Sequence, residues 1–101
     1  MIRKMQNPDI NRVADIWLKT NSQAHDFIPE QYWTSNYELV KEMMLQAEVY
    51  VYEDDKMIQG FAGLSNEYIE GIFVSDEMQS CGIGKLLLDY IKNKKVRLRL
   101  N

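Results

Sequence analysis

Ile69-Glu70-Gly71-Ile72-Phe73-Val74, then Gln79-Ser80-Cys81-Gly82-Ile83-Gly84, then Val96-Arg97-Leu98-Arg99-Leu100: within residues 67–100 these segments read as strand, glycine turn and strand, with a helical stripe before the last. The turn is the informative part. Two glycines let backbone N–H groups crowd around an anion at the start of a helix, where unpaired donors and the helix dipole favour negative charge. The segment reads as a phosphate cradle.

Gly-x-Gly occurs in many turns, so the flanking residues must choose among phosphate folds. A P-loop needs a glycine well before the Gly-Lys pair and Ser or Thr after the lysine, but Gln79 and Leu86 stand at those positions around Gly84-Lys85. A dinucleotide fold wants a third glycine after Gly84 and an acidic residue after the second strand. Leu87 and Asn101 stand there instead.

What remains is Gln-x-x-Gly-x-Gly after a strand ending Ile72-Phe73-Val74-Ser75-Asp76-Glu77, which resembles the acetyl-CoA motif of the GNAT superfamily of N-acetyltransferases. That superfamily places a strand, two helices and an antiparallel three-strand run ahead of the loop, an order this chain matches over all 101 residues. The implied fold is α/β, a mixed central sheet with flanking helices. Ala24-His25-Asp26-Phe27-Ile28 followed by Tyr32-Trp33 is similar to a segment in a group of small bacterial acetyltransferases.

A chain of 101 residues can bury one core but not two, so residues 1–101 are expected to form a single, partial domain. No apolar run approaches the roughly 20 residues of a membrane helix. Met1 to Gln6 lead into Asn7-Pro8-Asp9 rather than an apolar signal core, which makes the cytoplasm the expected compartment. Cys81 is the only cysteine, so an intrachain disulfide is impossible and no metal site is expected. Net charge is 12 − 15 = −3, and no basic stripe with interleaved aromatics appears, which argues against nucleic acid as a partner. Coenzyme A is itself anionic, so local donors must outweigh the net field, as screening beyond about 8 Å permits.

Ile2 to Met5 read as a first strand, and Asn7-Pro8 as a helix cap with proline at the first helical position. Ile10, Val13, Ala14, Trp17 and Leu18 form a one-sided stripe for a helix ending near Asn21, and Trp33, Tyr37, Val40 and Met44 share one face of a second helix. Val49 to Tyr52, a polar turn at residues 53–56, Met57 to Leu64, a turn at residues 65–67 and Tyr68 to Val74 read as a three-strand meander. Glycine inside a strand often marks a bulge, and the resemblance implies one at Gly71 that splays this strand from its parallel neighbour. Ile83, Leu86, Leu87, Tyr90 and Ile91 form the stripe of the crossover helix.

The resemblance implies acetyl-CoA as cosubstrate and an amine as acceptor. The backbone of Gln79, Ser80, Cys81, Gly82, Ile83, Gly84 and Lys85 would hold the diphosphate, and that of Ile72, Phe73 and Val74 the pantetheine arm. Val74 N–H is the candidate donor to the acetyl carbonyl, and only the glycines are expected to be sterically pinned. Cys81 is read as a loop cysteine in a reducing compartment rather than a nucleophile. His25 and Glu70 are the candidates for proton transfer, weighed against a loop-fixing histidine and a solvent-facing strand residue. Phe27, Tyr32 and Trp33 are candidate walls of the acceptor site, or ordinary core aromatics.

Members of the superfamily usually continue past the fifth strand into a helix and two strands that supply a tyrosine acid, whereas this sequence stops at Asn101, a C-terminally truncated form of the fold. Residues 96–100 are then an edge open to a second copy, blunted by Arg97 and Arg99. The competing functional class is a noncatalytic CoA-binding or interaction module that lost turnover with that segment, and a third reading is a vestigial cradle.

Overall fold

The computed structural model describes residues 1–66, 68–94 and 99–100. Its centre is a sheet whose strands lie in chain order: β1 (Ile2–Lys4), β2 (Glu48–Asp54), β3 (Met57–Ser65), β4 (Tyr68–Val74) and β5 (Arg99–Leu100). β1 to β4 pair antiparallel, and β5 lies parallel to β4. Asp55 and Lys56 both take the left-handed conformation, at φ 52° and 65°, which matches a two-residue hairpin to the twist of β2 and β3. The expected fifth strand is present at residues 99–100; residues 95–98 and Glu67 of the expected turn lie outside the described residues.

Helices cover both faces. α1 (Ile10–Ala24) lays Val13 and Ile16 on Val49, Val51, Ile58 and Phe61. α4 (Ile83–Lys94) lays Ile83, Leu87 and Ile91 on Tyr50, Ala62, Leu64 and Ile69 of the opposite face. In α1 the buried centre includes Ile16, which the expected stripe passed over, and the helix runs on to Ala24 rather than ending near Asn21. In α4 the buried line is Ile83, Leu87, Ile91 at strict four-residue spacing, so Leu86 is turned outward and 49% exposed.

The expected second helix is two, α2 (Glu30–Ser35) and α3 (Tyr37–Gln46). Asn36 makes the break: its backbone N–H donates to Trp33 O at 3.2 Å and its side-chain amide to Tyr32 O at 2.7 Å, closing α2 by local bonds that compete with helix continuation. Tyr37 then ties α3 to α1 through a hydroxyl donated to Asp15 Oδ1 at 2.5 Å.

The cap expected at Asn7-Pro8 starts one residue earlier. Gln6 N–H donates to Asp9 Oδ2 at 2.8 Å, and residues Asn7–Asp9 form a 3-10 turn leading into α1. Arg3 of β1 grips the same carboxylate with two N–H groups at 2.7 and 3.1 Å and also reaches Glu53 at 3.0 Å. The Arg3 hydrogen bonds hold the Asp9 carboxyl below its ordinary value of 3.8. Its contribution is therefore complete above that value and disappears as pH falls through the lowered one. Asp9→Asn should lower the unfolding free energy at neutral pH by about 1 kcal/mol. In acid unfolding followed by circular dichroism, the gap between variant and parent should close at low pH.

Candidate active site

β4 has a partner on both sides only at its beginning. Among the described residues, β5 pairs with Tyr68 and Ile69 alone, whereas β3 pairs with β4 along its length. Ser75 N–H donates to Gln59 O at 2.8 Å, toward β3. Backbone groups of successive strand residues point to opposite edges, so the N–H and C=O of Val74, and of Ile72 two residues earlier, face the open side while those of Phe73 face β3. On that open side Val74 O accepts a hydrogen bond from Gln79 Nε2 at 3.2 Å, which folds the loop back against the end of the strand.

The ladder carries two irregularities. Leu64 pairs with Ile69 and Gly63 with Gly71, so Glu70 is an extra residue in β4. Tyr52 pairs with Gly60 and Glu53 with Ile58, so Gln59 is an extra residue in β3. A bulge shifts the alternation of side chains. Ile72 and Val74 pack on the α4 face, and an unbroken alternation would put Glu70 there too. The bulge brings Glu70 instead to the α1 face, beside Gly71. The irregularity expected at Gly71 thus has Glu70 as its extra residue.

On that face lies a cleft of about 720 Å³. Trp17 of α1, Met43 and Met44 of α3, Gly63 of β3, and Glu70 and Phe73 of β4 are among its walls. Phe73 stacks on Phe61 with ring centroids 4.9 Å apart. A Cβ on Gly71 would sit 2.6 Å from the Phe73 ring, whereas one on Gly63 would meet nothing within 4 Å. Gly71 therefore makes room for the ring, and Gly63 leaves the cleft floor open.

His25, Phe27, Tyr32 and Trp33 form a separate aromatic cluster next to the cleft. His25 follows the end of α1 and stacks on Trp33 at 5.7 Å, and Trp33 meets Trp17, a cleft wall, edge-on at 5.9 Å. Phe27 is 79% exposed and Tyr32 56%, so neither is a core aromatic. Of the residues singled out in the sequence for proton transfer, Glu70 lines the cleft, whereas His25 sits two rings behind it. The α3 contribution to the cleft was legible only as a core stripe, because Val40 and Met44 serve both.

At the loop, Gly82 has φ 85° and Ser80 φ 68°, so a serine shares the left-handed geometry that the sequence suggested only for glycines. Gly84 is helical; a Cβ there would lie 3.9 Å from Ile72 and Val74, an ordinary contact. The steric demand within the protein is thus on Gly82 and Ser80, not on Gly84. Leu86 N–H is bonded to Gly82 O at 3.0 Å, so Ile83, Gly84 and Lys85 supply first-turn N–H groups that have no carbonyl within the helix. Lys85 is an exposed residue whose ammonium pairs with Asp89 at 2.9 Å. Cys81 is an exposed thiol on the same loop. Next to it, Asp76 is tied to α1: the Gln23 amide, then the Lys19 ammonium, hold its carboxyl below the usual range.

A four-strand antiparallel run followed by a glycine turn, a crossover helix and a parallel fifth strand is the architecture of an acyl-CoA N-acyltransferase fold. Residues 19–100 match the family described as acetyltransferase (GNAT) domain, and the chain belongs to that family. It is 29% identical to the peptidyl-lysine N-acetyltransferase YiaC of Escherichia coli K12, over 99% of this chain and 70% of that protein. It is 26% identical to the peptidyl-lysine N-acetyltransferase YjaB of the same strain, over 99% of this chain and 69% of that protein. The apo-form solution structure of E. coli YjaB matches with TM-score 0.83 and 23% identity, covering 97% of this chain and 67% of that one. A PaiA N-acetyltransferase from Thermoplasma acidophilum, in complex with coenzyme A, matches with TM-score 0.77 and 20% identity, covering 93% and 72%. These structural likenesses bear on the fold.

The glycine contrast is testable by urea unfolding. Gly71→Ala should destabilise by about 1–2 kcal/mol, because the Phe73 ring must leave its place on Phe61. Gly63→Ala should stay within about 0.5 kcal/mol of the parent.

Proposed function

We propose that this domain, residues 1–101, transfers an acetyl group from acetyl-CoA directly to a primary amine, with a lysine side chain of a protein as the acceptor. The observation that carries the reading is the open side of β4, where Ile72 and Val74 present N–H and C=O groups next to the first turn of α4. The names of the curated relatives favour the lysine acceptor. Among the described residues no group of His, Cys, Asp and Glu is arranged to hold a metal ion, and no helix is long and apolar enough to cross a membrane. The cytoplasm is the proposed compartment.

The residues suit the cosubstrate. The first-turn N–H groups of Ile83 to Lys85 and the left-handed residues Ser80 and Gly82 form an anion cradle for the diphosphate, and the outward groups of Ile72 can pair with the pantetheine arm, leaving Val74 N–H for the acetyl group. Acetyl-CoA supplies an activated thioester carbonyl. Val74 N–H donates to its oxygen, which gains charge in the transition state, a contribution worth roughly 3 kcal/mol. The amine nitrogen bonds to the carbonyl carbon as the C–S bond breaks. Once the N–C bond has formed the nitrogen gives one proton to the leaving thiolate, and before attack it must lose another, as the ammonium. Glu70, brought into the cleft by its bulge, accepts that proton through water, and the aliphatic stem of the lysine lies between Met43, Met44 and Phe73. His25 fixes the segment between α1 and α2 by stacking on Trp33, and Phe27 and Tyr32 face the incoming protein.

Calorimetric titration of acetyl-CoA is the first test of the cradle. Saturable binding is expected, and Gly84→Asp should abolish it by placing a carboxylate beside the diphosphate in a position the fold itself tolerates. Unchanged affinity in that variant would exclude the loop as the binding site. For the chemistry, Glu70→Gln should reduce turnover on a lysine peptide by about a hundredfold near neutral pH, with the deficit shrinking as pH rises and the amine loses its proton unaided. Gly63→Leu should raise KM for the peptide by filling the cleft floor, with acetyl-CoA affinity unaltered.

A further inference from the structure

The strand end that carries Val74 is held from behind by a polar relay that runs across the sheet to α1. Ser75 is 8% exposed, the one buried polar residue among those described. Its N–H donates to Gln59 O at 2.8 Å, and its hydroxyl donates to Gln59 Oε1 at 2.7 Å. One residue thus receives both donors of Ser75. Gln59 can do so because it lies opposite Ser75, one step beyond the Gly60–Val74 pair, so the two side chains share a face of the sheet. Arg12 of α1 secures the bulge, with Nε donating to Ile58 O at 2.8 Å and Nη2 lying 3.5 Å from Gln59 Oε1.

Ser75 directly follows Val74. The Ser75 N–H shares a peptide plane with the Val74 carbonyl, and only φ and ψ of Val74 separate that plane from the Phe73–Val74 peptide that carries the Val74 N–H, so holding Ser75 narrows the directions that N–H can take. The Ser75 clamp is the last hold of β3 on this strand end, beyond the Gly60–Val74 pair. Below it, Gly60 lies close under the Phe73 carbonyl, where a Cβ would be 3.0 Å away, and so limits movement in one direction only.

We propose that Gln59 is a positioning residue for acetyl transfer, acting through Ser75 to aim the Val74 N–H at the acetyl carbonyl oxygen, with Arg12 as its anchor. The proposal rests on the reading of Val74 as the donor to that oxygen. It separates orientation from binding: the diphosphate would be held by the loop and α4, and the Gln59 and Arg12 side-chain hydrogen bonds described above go to neither, so their loss should appear in the chemical step.

The test is steady-state kinetics with acetyl-CoA and an N-terminally blocked peptide carrying one lysine, run well below the thermal midpoints of Gln59→Leu, Gln59→Glu, Ser75→Ala and Val74→Pro. Proline at 74 removes the donor without removing a bond to β3, since that N–H faces the open side. Gln59→Leu and Ser75→Ala should each lower kcat by about tenfold or more, a misorientation effect, with KM for acetyl-CoA changed less than about threefold. Gln59→Glu, which keeps an oxygen to accept the Ser75 hydroxyl and a partner for Arg12, should recover most of the loss. If Val74→Pro abolishes turnover while Gln59→Leu and Ser75→Ala keep it, the positioning role is overturned and the Val74 reading stands. If the losses fall on KM, or Gln59→Glu is as impaired as Gln59→Leu, the role is likewise overturned. Val74→Pro with full kcat, or a parent chain that binds acetyl-CoA without turnover, overturns the reading beneath it as well.

Discussion

The proposed site depends on β4 having, among the described residues, a strand partner on only one side over most of its length. A strand inside a sheet spends its N–H and C=O groups on two neighbours, and an edge strand exposes one row of them to any chain that can pair. Here the exposed row is short, bounded at the start by β5 on Tyr68 and Ile69 and at the end by the Gln79 amide on Val74 O. The first turn of α4 stands at the far end of that row, with Gly84 facing Ile72 and Val74.

Both faces of the sheet are needed to place the exposed row. Ile83, Leu87 and Ile91 fix α4 at one height on Ala62, Leu64 and Ile69, and the missing side chain of Gly60 lets the first turn of that helix come down close to the end of β4. On the other face, Phe73 reaches back over Gly71 to stack on Phe61, which joins β4 to the α1 side of the core. The strand that carries the proposed oxyanion donor is thus clamped from above and below while its edge stays open. Rigidity across the sheet and openness along it come from different groups.

The order of strands and helices was legible in the sequence because each element has an unambiguous period: two in Val49-Tyr50-Val51-Tyr52, and close to four in Ile83, Leu87 and Ile91. The turn before α4 was legible because left-handed turns favour glycine, though Ser80 shows that a residue with a side chain can adopt the same φ when the loop requires it. The break at Asn36 escaped, because Trp33, Tyr37, Val40 and Met44 keep their spacing across it and the interruption comes from a side-chain amide bonded to Tyr32 O. The bulges were harder still. Gln59 and Glu70 become extra residues only through pairing with strands elsewhere in the chain, and local composition carries no sign of register. The cleft shares this property: its walls come from α1, α3, β3 and β4, each with residues that read as core.

The bulge at Glu70 also bears on how such a site can arise. Remove residue 70, and Ile69 opposite Leu64 is followed directly by Gly71 opposite Gly63, with Ile69 and Ile72 still toward α4 and Gly71 and Phe73 still toward α1. The remainder is a regular ladder that keeps every other facing. Glu70 is therefore added to the cleft by one extra residue of strand, and the facing of neither core depends on it.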